Sequence, residues 1–198
     1  MRLFYIRAIG MPELSSPKNS LIFLLGFMGS GKSTLGPILA NTLGYDFYDI
    51  DALIEKKAQK KIVDIFRDDG EKIFRALERD TLQETTLLQQ SIVALGGGTI
   101  TNEENFQIAR RHGILLYLKL SPKEIIQRVQ RRNDRPMLKD EHGNQLKGEA
   151  LLRRIEALLA AREPFYTRAD IVVEAEAMRI GTTVDRIVKL LNERSRKE

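Results

Sequence analysis

The sequence contains no cysteine, which excludes disulfides and thiolate metal sites. Its two histidines, His112 and His142, are too few for a histidine metal cage. No apolar run approaches the ~20 residues that a membrane-spanning helix requires. The apolar stretch at Met1–Ile6 is broken by Arg7, too early for a signal-peptide core. Internal repeats and the aromatic–basic interleaving of nucleic-acid binders are also missing. What remains is ordinary globular composition: 198 residues, 42% hydrophobic and 30% charged, suited to one compact α/β domain. The net charge is +5 and the isoelectric point is near 9.4. The arginines are spread among motifs rather than gathered in one basic block, so anionic small molecules are the expected partners, with no nucleic acid and no membrane. Residues 1–19 read as an N-terminal extension. Pro12, Ser15, Ser16 and Pro17 look like a linker, and Met11 offers an alternative start. Residues 20–198 read as one domain. Arg194-Ser195-Arg196-Lys197 reads as a solvated tail, and the expected location is the cytoplasm.

One stretch organises the rest. Gly26-Phe27-Met28-Gly29-Ser30-Gly31-Lys32-Ser33 matches G-x-x-x-x-G-K-[ST], the phosphate-binding loop. The apolar run Leu21–Leu25 precedes it with strand character, and a helical stretch begins after it at Thr34. Small residues let the backbone curl until its N–H groups point inward, and the helix N-terminus adds positive partial charge at the same place. Lys32 is placed to reach the β- and γ-phosphates, and the Ser33 hydroxyl to hold Mg²⁺. This motif predicts a nucleoside triphosphate and leaves its use open.

Strand and helix signals alternate from residue 21 onward, the pattern of a parallel sheet with helices on both faces. Further strands are predicted at Phe47–Ile50, Ile92–Leu95, Ile114–Leu118 and Ile171–Val173. A helical region from Asp51 to about Leu88 is interrupted at Gly70. Thr101 with Glu104, and Ser121 with Glu124, form capping boxes, the second with Pro122 at the first helical position. Residues 132–148 are polar and rich in turn formers, the composition of a mobile lid. Helical spacing returns at Leu151, Leu152, Ile155, Leu158 and Leu159, and again at Val184, Ile187, Val188 and Leu191. Pro37, early in the first helix, removes a backbone donor and is expected to tighten or bend that turn.

A second layer of features is more specific. Asp49-x-Asp51 ends the second strand, where i and i+2 share a side and ligands of open α/β sheets bind. One carboxylate there can hold a Mg²⁺-bound water while the other accepts from a substrate hydroxyl. Two helix-capping carboxylates are the plainer reading. Gly96-Gly97-Gly98 directly follows a strand and permits close backbone approach to a ligand. In isolation it is only a turn. Arg75, Arg135 and Arg162 stand at element edges, and arginine forks suit carboxylates and phosphates. A lone surface arginine carries no such meaning.

Taken in order, these blocks resemble the shikimate kinase family over nearly the whole chain from about residue 20. They are the phosphate loop with Thr34, Asp49-Ile50-Asp51 with Ile54-Glu55, Ile65-Phe66, Gly70-Glu71, Phe74-Arg75, Gly96-Gly97-Gly98, Gly113 before Leu-Tyr-Leu, Arg135-Pro136-Met137-Leu138, Arg162-Glu163-Pro164-Phe165-Tyr166 and Ala169-Asp170. The resemblance implies a three-layer α/β/α P-loop kinase fold with a five-stranded parallel sheet, a helical substrate-binding insertion at about 52–88 and a mobile lid at about 132–148. It implies transfer of the γ-phosphoryl of ATP to the 3-hydroxyl of shikimate, a step of aromatic amino-acid biosynthesis. Gly29, Ser30, Gly31, Lys32, Ser33 and Thr34 would wrap the ATP phosphates. Mg²⁺ would be held by Ser33 directly and by Asp49 through water. Asp51 would bind shikimate hydroxyls and act as base at the attacking one. Arg75 and Arg162 would clamp the carboxylate, and Gly96, Gly97 and Gly98 would offer backbone N–H. Arg135 would swing in from the lid towards the phosphates. Arg128 and Arg179 would lie against adenine. Catalysis would rest on Lys32, Asp51 and Arg135 in a monomer, since one chain completes the site. Pro37, Met137 and the lid composition depart from the family pattern without touching these groups.

Rival readings are a kinase of another small hydroxy acid such as gluconate, a nucleoside monophosphate kinase, a P-loop nucleic-acid-binding ATPase suggested by the basic charge, and a catalytically silent homologue. The Phe74-Arg75, triple-glycine and Arg162–Tyr166 blocks favour shikimate over gluconate.

Overall fold

A computed structural model describes residues 20–129, 138, 144–175 and 179–196. Five strands form one parallel sheet: β1 (Leu21–Leu25), β2 (Asp46–Asp49), β3 (Ser91–Ala94), β4 (Ile114–Lys119) and β5 (Ile171–Glu174), in the order β2-β3-β1-β4-β5. Register places Leu24, Ala94 and Asp49 in one row. The loops that follow β1, β2 and β3 therefore leave the same carboxyl edge at the same level, where ligands of open α/β sheets bind.

The helices are α1 (Lys32–Leu43), α2 (Ile50–Ala58), α3 (Ile62–Asp64), α4 (Gly70–Thr85), α5 (Glu103–His112), α6 (Pro122–Val129), α7 (Gly148–Tyr166) and α8 (Ile180–Ser195), with a π-helical turn at Ile65–Asp69. Strand alternation divides the interior into two layers. Leu21, Phe23, Leu25, Val93, Leu115 and Tyr117 face one side, against Leu82 of α4 and Phe106 of α5. Ile22, Leu24, Ile92, Ile114, Leu116 and Leu118 face the other, against Leu39 of α1 and Ile187 of α8. β1 is buried at every position and β5 only at alternate ones, as a central and an edge strand require. A third cluster joins Phe27, Ile125 of α6 and Ile155 of α7, and Leu138 of the predicted lid segment packs into it.

α1 runs unbroken through Pro37 and ends at Gly44, whose left-handed conformation returns its N–H to the last turn. Gly36 is required by packing. A Cβ there would lie 2.2 Å from the Phe47 ring, so the ring can seat against α1 because residue 36 has no side chain.

Several local expectations are revised. The predicted Thr101 cap belongs to Asn102, whose side chain accepts from Asn105 N–H at 2.9 Å. Thr101 instead turns its hydroxyl back to Gly98 O at 2.7 Å. The helical region from 51 breaks at Gln59–Lys61 as well as at Gly70, because Gln59 is left-handed (φ 52°). Gly70 is the predicted break: with φ 83° it closes the π-helical turn by returning its N–H to Ile65 O, and α4 starts from it. α7 begins at Gly148, three residues before the apolar spacing signals it, and continues through Pro164 to Tyr166. The supposed C-terminal tail is helical to Ser195, and Arg194 pairs with Asp170 at 3.2 Å.

Candidate active site

The phosphate loop leaves β1 at Gly26. Gly26, Gly29 and Gly31 all have positive φ (148°, 80° and 98°), which only glycine adopts without strain. That backbone path turns the start of α1 towards an open cavity of about 530 Å³. Gly29, Ser30, Gly31, Lys32, Ser33 and Thr34 all line the cavity. Lys32 Nζ donates to Gly26 O at 2.6 Å and Phe27 O at 3.2 Å, folded back over its own loop. An ammonium bonded to neutral carbonyls can exchange those partners for phosphate oxygens, since charge-assisted bonds are roughly twice as strong.

Ser33 Oγ donates to Asp49 Oδ2 at 3.0 Å, and Asp49 Oδ1 accepts from Asp51 N–H at 3.1 Å. Asp49 is thus the N-cap of α2 and the partner of the loop serine at once. Asp51 lies in the first turn of α2, so the capping turn, not strand alternation, sets the two carboxylates side by side. Both line the cavity.

The glycine run after β3 is the floor that gathers the remaining groups. A Cβ on Gly96 would lie 3.0 Å from Asp51 Oδ1, one on Gly97 2.8 Å from Arg162 Nη1, and one on Gly98 3.0 Å from Arg75 Nη1. Each glycine clears space for a different predicted substrate group. Arg162 is only 8% exposed, with its guanidinium 5.1 Å from the centre of the Phe27 ring. Gly96 and Gly97 line the cavity, whereas Gly98, Arg162 and Arg75 are not among its lining residues; the two arginines stand against Gly97 and Gly98.

Glu78, Thr99, Asn105 and Tyr166 of this floor had no role in the sequence reading, although Tyr166 stands in the Arg162–Tyr166 block. Glu78, 1% exposed, accepts from Arg75 Nη1 at 2.8 Å and from Thr99 Oγ1 at 2.7 Å. Asn105 donates to Thr99 O at 2.7 Å. Tyr166 donates to Gly97 O and stacks on Tyr117 at 4.9 Å. The available signals were spacings: Glu78 lies three residues from Arg75, and Tyr166 four from Arg162, as neighbours on one helix face do. Burial pushes the Tyr166 phenol up to about 12, against the opposing pull of Arg162. Arg75 also pairs with Glu71 at 3.0 Å. Its carboxylate partners hold its proton more tightly than usual, outweighing desolvation.

At the far end of the cavity Arg128 spans from Gly29 O to Ala175 O, both at 3.4 Å. Val129, Ala175, Ile180 and Thr183 complete that wall, a flat, mainly apolar slot beside a guanidinium. Arg179 caps α8 and accepts from Thr183 through its carbonyl; its side chain is not among the cavity-lining groups. Arg135 lies outside the described residues, as do most of residues 132–148. Among the described residues no cluster of three or more metal-binding side chains occurs, and no helix is long and apolar enough to cross a membrane.

Comparison with known proteins decides the family. The shikimate kinase family matches residues 28–192. The chain belongs to the shikimate kinase family. A curated relative, the shikimate kinase of Chlorobium limicola, is 46% identical over 173 residues, covering 87% of each chain. The shikimate kinase of Chlorobaculum tepidum is 45% identical over 179 residues, 90% of this chain and 94% of that one. Among solved structures, shikimate kinase from Acinetobacter baumannii in complex with shikimate superposes with a TM-score of 0.80 at 32% identity, covering 88% of this chain and 94% of that one. A gluconokinase from Sinorhizobium meliloti shares the fold alone, with a TM-score of 0.59 at 16% identity over 92% of this chain and 97% of that one. The three-layer P-loop kinase architecture is therefore common to both substrate classes, and substrate must be argued from the floor of the site.

Proposed function

We infer that the protein transfers the γ-phosphoryl group of ATP to the 3-hydroxyl of shikimate. The observation that carries this reading is the glycine floor. Three consecutive glycines stand separately against Asp51, Arg162 and Arg75, and the first two, with Asp51, line the cavity of the phosphate loop. A carboxylate for hydroxyls and two guanidinium forks for a carboxylate suit a ring that carries both.

Phosphoryl transfer needs positioning and charge neutralisation more than covalent help from the protein. Lys32 exchanges Gly26 O and Phe27 O for the β- and γ-phosphate oxygens. The phosphate-loop N–H groups and the start of α1 bind the remaining phosphate charge. Arg162 and Arg75, held by Phe27 and by Glu78 respectively, fix the shikimate carboxylate. Asp51 orients the attacking hydroxyl and accepts its proton as the new P–O bond forms and the bond to ADP breaks. Arg135 reaches the phosphates when the segment at about 132–148 closes and excludes water. Arg128 packs beside adenine, with Ile180 and Thr183 opposite, and Arg179 would have to turn in from the start of α8 to join it.

The Ser33–Asp49 pair fits Mg²⁺, which prefers hard oxygen ligands and keeps several waters. Ser33 would contribute its hydroxyl directly and Asp49 its carboxylate through water. The bound ion would neutralise charge on the β- and γ-phosphates. The insertion at about 52–88, comprising α2 to α4, acts as the shikimate-binding part of one domain. Every proposed group lies in one chain, so a monomer suffices, acting in the cytoplasm on ATP and shikimate without nucleic acid or membrane.

Product identity tests this reading. Phosphorus NMR of a reaction with ATP, Mg²⁺ and shikimate should give a monoester signal coupled to the ring proton at carbon 3. Coupling to another ring position, or inorganic phosphate alone, would overturn the assignment.

A further inference from the structure

A second cavity, of about 490 Å³, opens away from the phosphate loop between α2 and α4. This is ample for a small organic molecule, since ligand pockets typically hold about 300–1,000 Å³. Its walls are the Tyr48 ring, Leu53 and Leu88, with Thr81 and Thr85 at its base. Thr81 is 2% exposed, and its hydroxyl has no hydrogen-bond partner among the described residues. The mouth is charged. Lys57 of α2 bonds Glu84 of α4 at 2.5 Å across the opening, while Lys56 beside it has no carboxylate partner among the described residues. The rim thus carries two cations and one carboxylate over an apolar interior.

We propose that this cavity is a regulatory site for a small monocarboxylate with an apolar, ring-sized body. The body fills the space between Tyr48, Leu53 and Leu88. The carboxylate meets Lys56 and draws Lys57 away from Glu84. Coupling to the reaction follows from the two helices. α2 carries Asp51 ahead of Leu53, and α4 carries Glu78 one turn and Arg75 nearly two turns ahead of Thr81. An occupant that parts the Lys57–Glu84 link shifts the helices that hold both sides of the shikimate floor. It therefore weakens shikimate binding without entering that floor.

The test uses the full chain and 3-phenylpropionate as probe, with 3-phenylpropanol as its neutral counterpart. Amide resonances of Thr81, Thr85 and Leu88 should shift saturably with the acid. The alcohol should bind about tenfold more weakly, the scale of one charged contact. The surface variant K56E/K57E should lose about tenfold in affinity for the acid on the same scale. Saturating probe should raise the shikimate KM to a plateau of about threefold or more, and shikimate should weaken the probe by the same factor, as linkage requires. A Leu88→Trp chain, filled rather than recharged, should bind no probe, and adding probe should not change whatever shikimate KM it has. Four results would overturn the proposal: no shifts up to about 10 mM probe, an affinity too weak for regulation; equal binding of acid and alcohol; unchanged affinity in K56E/K57E; or a KM that climbs without plateau while Gly96–Gly98 resonances move, which is competition in the active site. The resonance shifts report binding whether or not shikimate is the substrate.

Discussion

Gly97→Ala isolates the claim that the glycine floor sets substrate binding. Gly97 does not have positive φ, so its backbone accepts alanine without strain. The new methyl, however, would lie 2.8 Å from Arg162 Nη1, against about 3.4 Å or more for ordinary contact. The guanidinium must retreat by roughly 0.6 Å, a shift large enough to spoil a hydrogen bond to a fixed carboxylate. Retreat is hindered because Arg162 is buried and packs on Phe27, with Tyr166 nearby. Losing one charge-assisted bond to substrate costs about 1.5–3 kcal/mol, which is roughly a tenfold to hundredfold rise in shikimate KM. The ATP KM should stay near that of the parent, since the phosphate loop does not touch the new methyl. Gly181→Ala is the control: no neighbouring group lies within 4 Å of its added carbon, and helix α8 gains about 0.5–1 kcal/mol. Steady-state kinetics on both variants, with melting curves to verify folding, decide the matter. A folded Gly97→Ala enzyme with unchanged shikimate KM would refute the reasoning, as would equal losses for ATP and shikimate.

Other outcomes follow from the same contacts. Asp51→Asn should retain ATP binding by titration calorimetry while turnover drops about a hundredfold or more, the scale of general-base loss; near-normal turnover would remove Asp51 from that role. Gly36→Ala should destabilise the fold by about 1–3 kcal/mol through overpacking against Phe47, read as a lower denaturant midpoint; an unchanged midpoint would mean that α1 is not seated on β2 as described. The Tyr166 phenol, raised from 10.0 to about 12 by burial, contributes stability that is complete below pH 10 and lost as pH rises towards 12, because the unfolded chain releases its proton first. Chemical denaturation from pH 9 to 12 should show a decline that is shallower in Tyr166→Phe. An identical slope in that variant would mean the phenol is not protected in the folded state.

The sheet was legible because its strands are apolar runs separated by helical periodicity, and the phosphate loop because its chemistry demands a fixed spacing of glycines and lysine. Asp49, Asp51, Arg75, Arg162 and the glycine run stand within motifs for the same reason. The packing that connects them was less visible. Glu78 reads as one more surface charge until α4 turns it inward beneath Thr99. Tyr166 stands at the end of the Arg162–Tyr166 block without a role of its own, and only the tertiary fold brings its hydroxyl to Gly97 O. Capping was misplaced at Thr101 because Asn102 competes for the same N–H groups with a better-reaching side chain. Gln59 gave no signal for its left-handed turn, since nothing in its residue type favours that conformation. Arg194 looked like a solvated charge because its partner Asp170 is distant in sequence.

The central claim is that one crevice joins a triphosphate loop to a floor built for a hydroxylated ring carboxylate. Its most direct test is ADP release from ATP and Mg²⁺ with shikimate, gluconate, a nucleoside monophosphate or no acceptor. The account predicts rapid release with shikimate and only background release in the other three. Comparable release with gluconate or a nucleoside monophosphate, or hydrolysis that needs no acceptor, would contradict it.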